Sequence, residues 1–190
     1  MADPTASSFS LTNLFAVSGI VAVITGGGSG IGLAVARALD ANNAKAVYIL
    51  GRRASILEEA AAAAPNKRLI PLVCDITSKD SLLAAAQRVR EEQGYVDTLF
   101  ANSGIIGVNA TKLLPQGRQP TIAELQTAML KPRMEEFSEA LHVNVTGTFY
   151  TAMAFLDLLD EGNKRAVVPQ KSSIVVTGSA ASVSRYLSGG

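Results

Sequence analysis

The stretch Thr25-Gly26-Gly27-Gly28-Ser29-Gly30-Ile31-Gly32 constrains the fold more than any other part of the chain. It follows the apolar run Val21-Ala22-Val23-Ile24 and opens into Leu33-Ala34-Val35-Ala36-Arg37-Ala38-Leu39. That order reads as strand, glycine-rich turn, helix. The first turn of a helix offers unpaired N–H groups and the positive end of its dipole, which suits a phosphate. Glycines let the backbone pass close to a pyrophosphate and let helix and strand pack tightly. The rest of the chain is therefore expected to supply sheet, cover helices and the other half of a dinucleotide site.

Length and composition agree with this. The 190 residues suffice for one domain with a sizeable core, and 48% hydrophobic against 17% charged residues marks a globular chain. A formal net charge of +1 gives no reason to expect nucleic acid or an acidic membrane as partner. Cys74 is the only cysteine, so there is no disulfide frame, and a reducing, cytoplasmic setting is expected. A lone thiol at a strand end reads as packing. No run approaches the roughly 18 apolar residues of a membrane span. The N-terminus has neither a basic nor an apolar region of the kind a signal peptide needs. No metal site is expected.

Taken in order, residues 1–8 are small and polar and are expected to fray. Phe9, Leu11, Leu14, Phe15 and Val17 then give apolar contacts beside a first strand over Gly19 to Thr25. The first helix carries Ile31, Val35 and Leu39, with Ala34 and Ala38 beside them, as its expected sheet-facing side. It ends near Asn42-Asn43, because asparagine tolerates the left-handed conformation. Ala46 to Leu50 is a second strand, and Ser55 to Glu58 has capping-box spacing for a helix that Pro65 stops. Arg68 to Asp75 is a third strand, moved by Pro71 to an edge or strand-start position. Thr77 is the expected cap of a helix with Leu82, Ala86 and Val89 on its apolar face, ended by Gly94. Val96 to Ala101 is a fourth strand. The Pro- and Gly-bearing stretch 105–133 reads as a lid-like loop insertion, with a short helix over Thr121 to Leu130. A long helix is expected from Met134 to about Asp160, with Phe137, Leu141, Val145, Thr148, Ala152 and Leu156 on one side. Ser173 to Thr177 is a fifth strand. This alternation predicts an α/β chain, one Rossmann-type, doubly wound parallel sheet over residues 1–190.

The Thr-Gly-x-x-x-Gly-x-Gly spacing in this context resembles that of the short-chain dehydrogenase/reductase family. Asp75, ending Cys74-Asp75, resembles the family's adenine-binding aspartate. Ala101-Asn102-Ser103-Gly104 resembles its Asn-Asn-Ala-Gly turn, with Ala101 and Ser103 as departures. Asn144 resembles its catalytic asparagine and Ser179 its catalytic serine. The resemblance runs from about Phe9 to Gly190. The lead-in before Gly19 and the insertion before Asn144 look most like fungal members, many of which serve secondary metabolism.

The resemblance implies a sheet of strand order 3-2-1-4-5, without the strands that follow in the family. It implies cofactor binding by Thr25, Gly26, Ser29, Gly30, Ile31, Gly32, Arg52, Arg53, Asp75, Asn102 and Gly104. It implies that Ser179 holds a substrate oxygen while Asn144 anchors a water. The reaction implied is hydride transfer between a nicotinamide and a small-molecule carbonyl or alcohol, with a homo-oligomer left open. The family's NAD users place an aspartate where Leu50-Gly51 stand here, and Arg52-Arg53 follow. A guanidinium binds a 2′-phosphate that a carboxylate would repel, so NADP is expected over NAD. Ordinary readings stand beside these: a strand-end serine satisfying its own turn, an asparagine on a helix surface, arginines on a solvated helix start. His142, the only histidine, has no role in the family.

The family's Tyr-x-x-x-Lys pair does not occur. Tyr48, Tyr95, Tyr150 and Tyr186 are followed at that spacing by Arg52, Leu99, Ala154 and Gly190. The tyrosine's place falls just past Gly190, so the chain reads as truncated before the pair. On that reading the fifth strand is an exposed apolar edge, the long helix lacks a neighbour, and the isolated chain is marginal or seeks a partner. Two functions remain open: an NADP-dependent oxidoreductase, or a non-catalytic dinucleotide-binding or interaction module.

Overall fold

The computed structural model describes residues 15–108 and 110–179. Expectations for residues 1–14 and for Ala180 onward lie outside them. The described elements are β1 (Val21–Thr25), α1 (Gly30–Ala41), β2 (Ala46–Gly51), α2 (Ala54–Ala62), β3 (Leu69–Val73), α3 (Lys79–Glu92) and β4 (Thr98–Ala101). A 3-10 turn at Ala110–Leu113, α4 (Ile122–Met129) and α5 (Met134–Leu141) follow. A π-helical turn (His142–Gly147), α6 (Thr148–Ala154), α7 (Leu156–Arg165) and β5 (Ser173–Val176) complete the set.

The strands form a five-stranded sheet in the order β3-β2-β1-β4-β5, and every pairing is parallel. Alternation along each strand divides the core between two faces. Val21, Val23, Tyr48 and Leu50 pack with Leu82, Val89, Phe155 and Leu158 from α3, the α6–α7 junction and α7. Ala22, Ile24, Val47 and Ile49 pack with Ala36 of α1 and with Leu57 and Ala60 of α2. The sheet is thus doubly wound, and the strand order reverses direction between β1 and β4. Pro71 sits in the edge strand β3, where its missing N–H breaks no ladder with a further strand.

Several local expectations are corrected. The most buried residues of α1 are Gly32, Ala36 and Asp40; of the expected face, Val35 and Leu39 pack partly buried against the core and Ile31 does not. The smallest side chains lie where helix and sheet approach most closely, and Ile31 is left 62% exposed. Asp40 accepts from the backbone N–H groups of Asn66 and Arg68, both at 3.0 Å, which fastens α1 to the turn before β3. Asn43 does take the left-handed conformation, at φ 65°. No capping box forms at Ser55: α2 already begins at Ala54, with Arg53 at its N-cap and no side-chain cap. Ser78, not Thr77, caps α3 by accepting from Ser81 N. Thr77 is engaged by Asp75 instead.

The expected long helix is interrupted twice. The π-helical turn changes its phase, and Phe155 (φ −106°, ψ 3°) ends α6 before α7 starts. Gly147, Thr151, Phe155 and Leu158 consequently face inward, while Phe137, Leu141, Val145 and Leu156 are each at least half exposed. In the insertion, Thr121 and Glu124 form a full capping box that opens α4. Arg118 forks onto the same carboxylate at 2.9 and 2.5 Å and, with the Thr121 bonds, holds Glu124 down to about 2.

Candidate functional site

The reversal between β1 and β4 opens a crevice at the carboxyl ends of the strands, where ligands bind in open α/β sheets. The cavity there measures about 720 Å³. Its wall includes Gly26, Ser29, Gly30, Ile31, Arg52, Arg53, Asp75, Asn102 and Gly104. All nine are residues singled out from the sequence, drawn from the segments after β1, β2, β3 and β4.

The glycine turn is fixed from beneath. Gly26, at φ 67°, and Gly27 both donate to Leu50 O, at 2.8 and 3.2 Å, so the turn hangs from the end of β2. Gly32 tolerates no side chain: a Cβ there would lie 2.5 Å from Gly26 O and 2.7 Å from Asn102 Nδ2. Thr25 and Gly32 are thus supports and not part of the wall. Thr25 Oγ1 accepts from the N–H groups of Asn102 and Ser103, each at 3.0 Å. Asn102 Nδ2 donates back to Thr25 O at 3.2 Å, and Asn102 Oδ1 accepts from Thr177 Oγ1 at 3.0 Å. One asparagine therefore joins the ends of β1, β4 and β5. Helix α1 begins at Gly30 with no side-chain cap on its N–H groups.

Asp75 Oδ1 accepts from Thr77 N (2.9 Å) and Thr77 Oγ1 (2.7 Å). These bonds, with Arg52 and His142 nearby, hold its carboxyl below the usual aspartate range. Asp75 N donates to Ser81 Oγ at 3.0 Å, which sets the carboxylate at the rim. Burial pushes the Cys74 thiol up, so it is an inert wall residue.

At the other end of the crevice, Asn144 lies inside the π-helical turn. Its Oδ1 accepts from Ile105 N and its Nδ2 donates to Ile105 O, both at 2.9 Å. Both side-chain functions are therefore spent on the backbone that follows Gly104. Such one-turn π-bulges often mark functional positions in helices. Ser179 follows β5 two residues after Thr177; it is exposed and does not line the cavity. Thr177, Ile105, Glu139 and Val143 line the cavity and were not foreseen. Thr177 had the one available signal, a hydroxyl at the carboxyl end of a strand.

The family model described as short chain dehydrogenase matches residues 20–189. The chain belongs to the short-chain dehydrogenase family. Among its relatives is "Short-chain dehydrogenase/reductase PhomF" of Diaporthe leptostromiformis, 37% identical over 97% of this chain and 62% of that protein. "Short-chain dehydrogenase/reductase SAT3" of Stachybotrys chartarum is 44% identical over 70% of this chain and 48% of its own length. A short-chain dehydrogenase/reductase from Mycobacterium marinum superposes with a TM-score of 0.74 at 28% identity, covering 94% of this chain and 63% of that one. NAD+-bound xylitol dehydrogenase gives 0.71 at 27%, over 90% of this chain and 56% of that one. The chain thus spans about three fifths of the length of the first of these family members. Among the described residues no cluster of His, Cys, Asp and Glu could hold a metal ion, and no helix is long and apolar enough to cross a membrane.

Proposed function

We propose that this chain carries the cofactor site of an NADP-dependent oxidoreductase that interconverts a carbonyl and an alcohol on a small molecule. One observation carries the reading: Arg52 and Arg53 share a cavity wall with the glycine turn and Asp75, and β2 ends in Gly51 with no carboxylate. The residues fit a dinucleotide. A Cβ on Gly30 would meet no atom within 4 Å, so this position faces open space. The uncapped N–H groups of α1 suit a pyrophosphate, and Asp75, whose bonds from Thr77 both fall on Oδ1, suits an adenine amino group. The guanidinium groups of Arg52 and Arg53 suit a 2′-phosphate.

When bound, the nicotinamide supplies the hydride acceptor or donor. The chain's own residues do the rest. Gly26, Ser29, Gly30 and Ile31 cradle phosphate, with Thr25 and Gly32 beneath them. Asn102 and Gly104 hold the middle of the crevice. Asn144 is a positioning residue that fixes the Gly104–Ile105 backbone, and Ser179 is assigned to the substrate oxygen. The similarity to fungal relatives extends the proposal to fungal secondary metabolism, and the free, buried Cys74 suits the reducing cytoplasm.

A second reading is a dinucleotide-binding module without catalysis. Both readings share the cofactor site. Fluorescence titration with NADPH and NADH tests it: NADPH should bind about tenfold or more tightly, and Arg52→Asp should cancel that preference. Equal affinities in the wild type would overturn the NADP assignment. NADPH oxidation with a panel of carbonyl compounds separates the two readings.

A further inference from the structure

The segment between β4 and α5 builds a second cavity. Residues 105–108 run against α5, where a Cβ on Gly107 would come within 2.7 Å of Ala140 Cβ. Asn144 holds Ile105 by both of its side-chain hydrogen bonds. Between this run, the turn at Ala110–Leu113 and Lys131-Pro132 lies a cavity of about 500 Å³. It shares Ile105 and Glu139 with the wall of the cofactor cavity, so the two meet beside Asn144. Its remaining apolar wall is Val108, Leu113 and Pro132, with Ile106 exposed at the mouth, and the exposed charged groups Lys112, Lys131, Glu136 and Glu139 stand around it.

We propose that this cavity is a substrate subsite that takes a neutral, apolar chain or ring remote from the reacting carbon. The inference rests on the oxidoreductase reading above. The volume lies within the range of small-molecule sites. The apolar wall favours burial of hydrocarbon. The two ammonium groups around it are balanced by two carboxylates, so a charged ligand group of either sign that enters the apolar part would meet no net opposite charge.

The test is ligand-observed NMR titration of the 190-residue chain, saturated with NADPH, with 2-alkanones from 2-pentanone to 2-undecanone. Affinity should rise about threefold per added methylene. A terminal carboxylate or ammonium on the longest ketone should cost about tenfold or more. Leu113→Trp, which fills the cavity, should flatten the chain-length series while leaving NADPH affinity intact. Leu113→Ala, a milder change, should weaken only the longer ketones. A flat series in the wild type, tighter binding of either charged ketone, or a series unchanged by Leu113→Trp at full NADPH affinity would overturn the subsite. Failure of the wild type to bind NADPH would overturn the cofactor reading and this one with it.

Discussion

Strands β1 and β5 have similar sequences and opposite surroundings. Val21-Ala22-Val23-Ile24 is wholly buried between two helix layers. Ser173-Ile174-Val175-Val176 is exposed at every position, with Val176 at 56%. The same contrast divides the helices. Gly32 and Ala36 of α1 are buried, whereas α5 buries no residue and leaves Phe137 at 62% exposure. Apolar sequence therefore sets which residues could be covered, and only neighbours decide which are. The half that bears the glycine turn is closed around its own core. The half that bears Asn144 and Ser179 keeps an apolar surface.

The largest expected break in that comparison is Phe155→Ala. Phe155 is fully buried between α6 and α7, and its loss should cost about 3–5 kcal/mol in urea unfolding. Phe137→Ala, the same change on the exposed side, should stay within about 0.5 kcal/mol. Similar costs for the two would show that α5 is covered in solution.

Next is Gly32→Val. Its Cβ would strike Gly26 O and Asn102 Nδ2. Overpacking of this kind should cost about 1–3 kcal/mol and abolish NADPH binding. Near-wild-type NADPH affinity would show that the turn needs no close approach at Gly32.

Acid titration sharpens the picture at the rim. Asp75 has a lowered folded-state value, so its contribution to stability is fully present above the unfolded carboxylate value and is lost as pH falls through the folded one. Thr77→Val removes the hydroxyl donor and one of the bonds that lower it. The acid limb of the variant, followed by circular dichroism, should begin at higher pH than that of the wild type.

The smallest effect on stability is expected from Val175→Lys, on the exposed edge of the sheet. Unfolding free energy should change by no more than about 0.5 kcal/mol, while light scattering from concentrated solutions should fall.

These two halves also differ in how legible they were. The turn Thr25–Gly32, Asp75 and Asn102 could be read because each lies at the end of a strand that the local pattern marks. The parallel, doubly wound sheet followed from alternation, its strand order was implied by the family resemblance, and Pro71 pointed to an edge or strand-start place for β3. Three features depended on packing that no local pattern reveals. The most buried line of α1 runs through Gly32, whose closeness to Gly26 and Asn102 leaves no room for a side chain. The break after Asn144 arises where both ends of its side chain hold Ile105, a residue far away in sequence. Ser55–Glu58 and Thr121–Glu124 both have capping-box spacing. Only the second forms, because α2 starts at Ala54 before Ser55 can act as a cap.

Hydrogen exchange with and without saturating NADPH tests most directly whether the crevice is the nucleotide site. Protection should concentrate in residues 25–33, 51–54 and 75–78, with residues 134–142 and 173–176 little changed. Protection confined to those last two segments, or none at all, would contradict the assignment.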